Sequence, residues 1–202
     1  MYQNPNQTPN QNQIKYQEAV YNFIYNNIPV KINQELRMLS EQHNHWTRAH
    51  IIRKAENLPD FQDISARQLR NAYDFALFFS KFYGRDKVYE IEKVFQDHIL
   101  IGSRVIDDLY RKDENALIED REKWTKNAED LARAFLSVSP YLSYDVLLNH
   151  ILNHNKDVEQ QAELRFNKEY HEEIRLYDYI EKEGLSFADY LSYGIIANFG
   201  FV

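Results

Sequence analysis

From Lys31 onward, apolar residues recur every three or four positions in runs of roughly twenty residues or more, the period of one face of an α-helix. Very little interrupts these runs. The 202 residues include five glycines and five prolines, so helices are expected to be long and breaks few. No stretch alternates apolar and polar residues as a half-buried strand would, and no internal repeat stands out at a fixed period. The expected architecture is all-α: an up-down bundle of four long helices with additional short helices.

The stripes locate the helices. Leu36, Leu39, His43, Trp46 and His50 mark a first long helix over about Lys31 to Glu56, ended by Asn57-Leu58-Pro59. Leu69, Ala72, Phe75 and Phe79 mark a shorter one over Ser65 to Tyr83, broken by Gly84. Val88, Ile91, Phe95, His98, Gly102, Val105 and Leu109 mark the second long helix, Asp86 to Arg111. Leu117, Trp124, Leu131 and Phe135 mark the third, Glu114 to Val138, stopped by Ser139-Pro140. Leu147, Ile151, His154, Val158 and Ala162 mark the fourth, which opens near Ser143 and runs toward Ile180 with a break near Asn167. A last short helix is expected from Ser186 to Asn198. Ahead of the bundle domain (31–202), residues 1–13 form an Asn/Gln/Pro tail expected to be disordered. Residues 14–30, with Tyr16, Val20, Phe23 and Ile24 at helical spacing, form a short amphipathic helix.

Composition narrows the function classes. A net charge of −7 argues against sequence-independent nucleic-acid binding. No apolar run is long enough to span a bilayer, the start lacks the order of a signal peptide, and cysteine is absent, all of which fit a cytoplasmic protein. Phosphate-binding glycine loops are missing. The one His-Glu pair, His171-Glu172, does not continue as HExxH, and no histidine follows a glutamate at the spacing of a ferritin-type di-iron centre.

What remains is a set of histidines. His43, His98 and His154 each lie on the apolar stripe of a different long helix, with Asn127 at the edge of the stripe on another. A buried imidazole needs a partner, because an unsatisfied polar group in a core costs roughly 1–3 kcal/mol. Three that converge can ligate zinc, iron, copper or nickel through neutral nitrogens. His150, one turn before His154, can face the same ion, and His50 can widen the site. Trp46, Trp124 and Asn127 are candidate walls of a ligand site, with core packing the plainer role for the tryptophans. His45, His171 and the acidic stretch Glu169 to Glu173 read as solvated surface; Arg48 and Arg70 can bind an anion, but solvated or paired surface charges are the plainer reading.

His43-x-x-Trp46-Thr47-Arg48, Leu69-Arg70-Asn71-x-x-Asp74-Phe75 and Phe82-Tyr83-Gly84 open a pattern. It continues through His98-x-Leu100-Ile101, Trp124-x-x-Asn127-Ala128, Ser139-Pro140, His154, Tyr177-Asp178 and Ala188-Asp189. The pattern resembles a group of small uncharacterised helical proteins of firmicutes and covers about four fifths of the chain, from Glu35 to Phe199. Some members carry an acetylglutamate kinase label, which this sequence does not support: it has neither the glycine-rich loops nor the α/β pattern such a kinase needs. The resemblance implies that His43, His98, Asn127 and His154 belong together. Where the group often has Thr and Glu after its last histidine, this chain has Val158 and Gln161.

The expected function is therefore a helical-bundle binding protein with a histidine-lined interior site for a divalent metal or small ligand. The alternative is a structural or protein-interaction bundle without chemistry, with the helix at 14–30 supporting a homodimer. No nucleic-acid or membrane partner is expected.

Overall fold

The computed structural model describes residues 11–201, which form seven α-helices and no strand. These are α1 (Gln11–Asn26), α2 (Ile28–Glu56), α3 (Phe61–Phe79), α4 (Arg85–Arg111), α5 (Glu114–Leu136), α6 (Tyr144–Phe166) and α7 (Tyr170–Phe199). Residues 1–10 of the expected tail lie outside the described residues; 11–13 already belong to α1. Tyr16 and Val20 of α1 are exposed rather than docked on the bundle. Pro29 sits in the first turn of α2, where a missing N–H costs nothing, and the Asn27 side chain accepts a hydrogen bond from the Val30 N–H at 3.1 Å.

The bundle has six members rather than four, because α3 is a full staple of the ring and α7 is continuous. Each helix from α2 to α7 packs on the next, and α7 packs back on α2; α2, α4 and α6 also touch one another across the middle. Neighbours run antiparallel. Along the α2–α7 seam, Arg37 meets Asp189, Asn44 meets the Ile180 carbonyl, and Arg48 meets Glu173. Helix α7 passes through Gly184 and Ser186 without the break expected there. Gly184 is a point of close approach: a Cβ on it would lie 2.4 Å from Asn44 Nδ2, and Ser40 Oγ donates to its carbonyl at 2.7 Å.

The structure also reveals a repeat that the sequence conceals. The pairs α2–α3, α4–α5 and α6–α7 are three copies of one helical hairpin. His43, His98 and His154 recur at a period of about 55 residues. Each stands the same number of residues before Asn57, Lys112 and Lys168, the three non-glycine residues with positive φ among the described residues. Each of those turns is closed by the same type of backbone bond: Leu58 N–H to Arg53 O, Asp113 N–H to Asp108 O, and Glu169 N–H to Leu164 O. Buried positions correspond as well. Leu36, Ile91 and Leu147 lie two turns before the histidines, and Ile51, Ile106 and Ala162 two turns after them. On the second helices, Ala76, Ala132 and Ala188 are buried at matching places, as are Phe79, Phe135 and Leu191. The hairpins surround an approximate threefold axis, and α2, α4 and α6 face it.

The main core fills the end of the bundle around Phe75, Phe78, Phe79, Phe95 and Phe135. A smaller cluster of Ile51, Val105, Ile106, Trp124, Val158 and Ala162 fills the other. None of the described helices is long and apolar enough to cross a membrane.

Candidate metal centre

Because α2, α4 and α6 carry the three histidines at equivalent positions, the threefold arrangement brings the imidazoles to one level on the axis. One ring nitrogen from each lies within 4.8 Å of the other two. The closest pair, His43 Nε2 and His154 Nε2, is 3.3 Å apart. His98 stands slightly back, its ring centroid 6.5 Å from that of His43 and 6.4 Å from that of His154. This three-nitrogen geometry depends on packing depth, which the helical period alone does not specify.

An asparagine on α5 orients the His98 ring. Asn127 Nδ2 donates to the Val94 carbonyl at 3.0 Å, which turns its Oδ1 toward His98 Nδ1, 2.9 Å away. An amide oxygen only accepts, so His98 Nδ1 carries the proton and Nε2 keeps its lone pair. Asn71 is the counterpart in the first hairpin. It donates to the Leu39 carbonyl at 3.2 Å, one turn before His43 just as Val94 is one turn before His98. His43 Nδ1 and Asn71 Oδ1 are both buried without a hydrogen-bond partner of good geometry. A small ring rotation would join them and repeat the His98–Asn127 arrangement. Ligating histidines are commonly held in this manner, with the second nitrogen donating to an oxygen.

The imidazoles are neutral. Burial pushes the pKa of each of the three to about 3, and the neighbouring histidines push the same way: His98 on His43, His154 on His98, and His43 and His150 on His154. Asn71 and Asn127 oppose the shift at His43 and His98 by accepting from the protonated ring. Neutral lone pairs are what a transition metal needs. A pH dependence follows. The folded-state values lie below the ordinary 6.5, so the unfolded chain takes up protons first as pH falls. Their contribution to stability is complete above about pH 6.5 and is lost progressively down to about pH 3. The urea midpoint of the metal-free chain is expected to drop from pH 7.5 to pH 5, and His98→Leu to reduce that slope by about one proton.

The trio borders a cavity of about 70 Å³. A single water needs roughly 10–15 Å³, so several waters or a small ligand fit. Its walls are largely apolar, with Phe75, Phe95, Leu131, Phe135, Ile151 and Phe187. Besides the trio, its polar groups are Ser40 and Asn44 from α2 and His150, Asn153, Asp157 and Glu183 from α6 and α7; the ionisable ones among them all come from α6 and α7. On the other side of the trio a space of about 10 Å³ is bounded by Thr47, Gly102, Trp124 and Val158. Gly102 is required there, since a Cβ would lie 2.8 Å from the Trp124 ring. Trp124 in turn packs on His98 at 5.5 Å.

The other candidates fall elsewhere. His150 lines the cavity but is not in the three-histidine group; its Nδ1 faces Glu183 Oε2 at 3.9 Å. Trp46 borders neither space and instead packs against His45 and under Arg67. His50 does not widen the site: it is buried against Ser65 Oγ at 3.0 Å, at the mouth of a separate groove. Arg48 is partly exposed and paired, but Glu173 is not solvated: it is 1% exposed, held by Arg48 Nε and Nη2 and by Gln161. Asn71 and Glu183 were missed by sequence reasoning. Their only signal was their place beside Ala72 and Gly184, matching Asn127 beside Ala128.

No family model, no curated protein and no solved structure matches this chain.

Proposed function

We propose that this protein binds one divalent transition-metal ion per chain through His43, His98 and His154, with a fourth position facing the apolar cavity. The observation that carries the reading is the convergence of three neutral imidazoles, one from each hairpin, on the axis of the bundle. Nitrogens ligating zinc tetrahedrally at about 2.0–2.1 Å lie roughly 3.3 Å apart, and His43 and His154 have that separation already. Metal binding draws the three rings together, since their nitrogens now span up to 4.8 Å and a tetrahedral site holds them about 3.3 Å apart. Three nitrogens without thiolate or carboxylate suit zinc, iron, copper or nickel rather than magnesium or calcium. Three protein ligands with an open position are also the pattern of a site that receives a further ligand.

Elemental analysis of protein purified without a histidine tag tests the reading. One equivalent of metal is expected, or, for metal-free protein, a rise in Tm on adding Zn²⁺ or Co²⁺ that the His43→Ala variant lacks. No bound metal and no shift with any of the four ions would leave a bundle whose imidazoles serve packing alone.

A further inference from the structure

At three places around the trio the third hairpin differs from the other two, and the differences all point the same way. The residue one turn before each histidine is Leu39, Val94 and His150. The residue three places after each is Trp46, Ile101 and Asp157. At the oriented-asparagine position on the second helix stand Asn71, Asn127 and Glu183. In the first two hairpins these places are apolar, or hold a buried amide tied to a main-chain carbonyl. In the third hairpin all three carry ionisable side chains. A carboxylate at 183 cannot donate to the His150 carbonyl as Asn71 and Asn127 donate to theirs, and Glu183 turns instead toward the His150 ring, its side chain 41% exposed. His150, Asp157 and Glu183 line the same cavity as the trio.

We infer that the opening between α6 and α7, carrying His150, Asp157 and Glu183, is the path by which a divalent cation reaches the buried imidazoles. This rests on the metal reading above. In the other two sectors the equivalent places hold no ionisable group: Leu39, Trp46 and Asn71, and Val94, Ile101 and Asn127. The third presents two carboxylates and an imidazole at the mouth of a largely apolar cavity. Such a mouth concentrates cations: charge focused in a low-dielectric cleft raises association rates by 10- to 1,000-fold. The carboxylates offer transient oxygen ligands while water is shed, and the neutral nitrogens inside provide the stronger final set for a transition metal.

The test is stopped-flow uptake of Co²⁺ by the full metal-free chain, followed by its ligand-field absorption, in wild type, Glu183→Asn, Asp157→Asn and Glu163→Gln. Glu183→Asn installs the residue the other two hairpins carry. Asp157→Asn removes the second charge with little change of shape, and Glu163→Gln removes an exposed charge remote from the mouth. Uptake is expected to slow about tenfold or more in each of the first two variants, with weaker dependence on ionic strength and the same final stoichiometry. Glu163→Gln is expected to load at the wild-type rate. Wild-type rates in both mouth variants would overturn the path while leaving the metal site intact, as would equal slowing in Glu163→Gln. Loss of affinity with an unchanged association rate would overturn it by making Glu183 or Asp157 a ligand. Failure of the wild type to bind Co²⁺ at all would overturn the metal reading itself.

Discussion

Alanine at position 98 is expected to lower Zn²⁺ affinity by more than about 100-fold, and Asn127→Ala by about 10- to 100-fold. Competition against a chromophoric chelator at pH 7.5 measures both. The ranking has a physical basis. His98 supplies a lone pair, whereas Asn127 sets the tautomer that leaves that lone pair free and fixes the ring through its own bond to the Val94 carbonyl. His98→Ala removes a donor from a buried amide oxygen as well, so the metal-free chain is expected to lose about 1–3 kcal/mol of stability. Asn71→Ala is expected to behave as Asn127→Ala if metal binding completes the His43–Asn71 contact. Equal affinity in wild type and His98→Ala would remove α4 from the site and reduce the trio to a pair.

The largest loss of stability is expected from Glu173→Ala. Its carboxylate is 1% exposed and accepts from Arg48 at 2.7 and 2.9 Å and from Gln161 at 2.9 Å. Removing one member of such a buried pair leaves the other uncompensated and costs about 3–5 kcal/mol. At roughly 2–4 °C per kcal/mol for a chain of this size, Tm falls by about 10 °C. Differential scanning calorimetry of the metal-free chain checks this, and a drop of only a degree or two would show that Arg48 finds water or Tyr177 instead. The pair has its own pH signature. Burial raises the Glu173 pKa, but the bonds from Arg48 and Gln161 more than offset that, and it lies below the ordinary 4.5. Its stabilisation is therefore present above about pH 4.5 and is lost as pH falls through the lower folded value. The histidine effect begins two pH units higher, so the two contributions separate along an acid titration.

Much of this molecule is readable from local pattern. Runs such as Leu147, Ile151, Val158 and Ala162 allow one buried face and no strand, so the all-α bundle and most helix limits follow directly. The candidate ligands were legible for the same reason: a histidine on an apolar stripe faces the interior whatever the helix packs against. The errors arose where a residue's meaning depends on a distant neighbour. Gly184 reads as a break until Ser40 and Asn44 are seen pressed against it. Glu173 reads as solvated until Arg48 and Gln161 arrive from α2 and α6. Trp46 shares the stripe of His43 but falls at its edge, over Arg67.

The amino-acid sequence by itself determined the helices, their buried faces and the identity of three inward imidazoles, because helical periodicity is a property of neighbours within one or two turns. Only the tertiary structure decided that the imidazoles meet at one level, that α2 to α7 are three copies of one hairpin, and that His150, Asp157 and Glu183 line the cavity beside them. The copies preserve burial more than residue type, as Thr47, Gly102 and Val158 illustrate at one shared position, so too few letters recur for the repeat to stand out. Depth along the axis is set by how six helices interlock, and that is a sum over contacts between residues far apart in the chain.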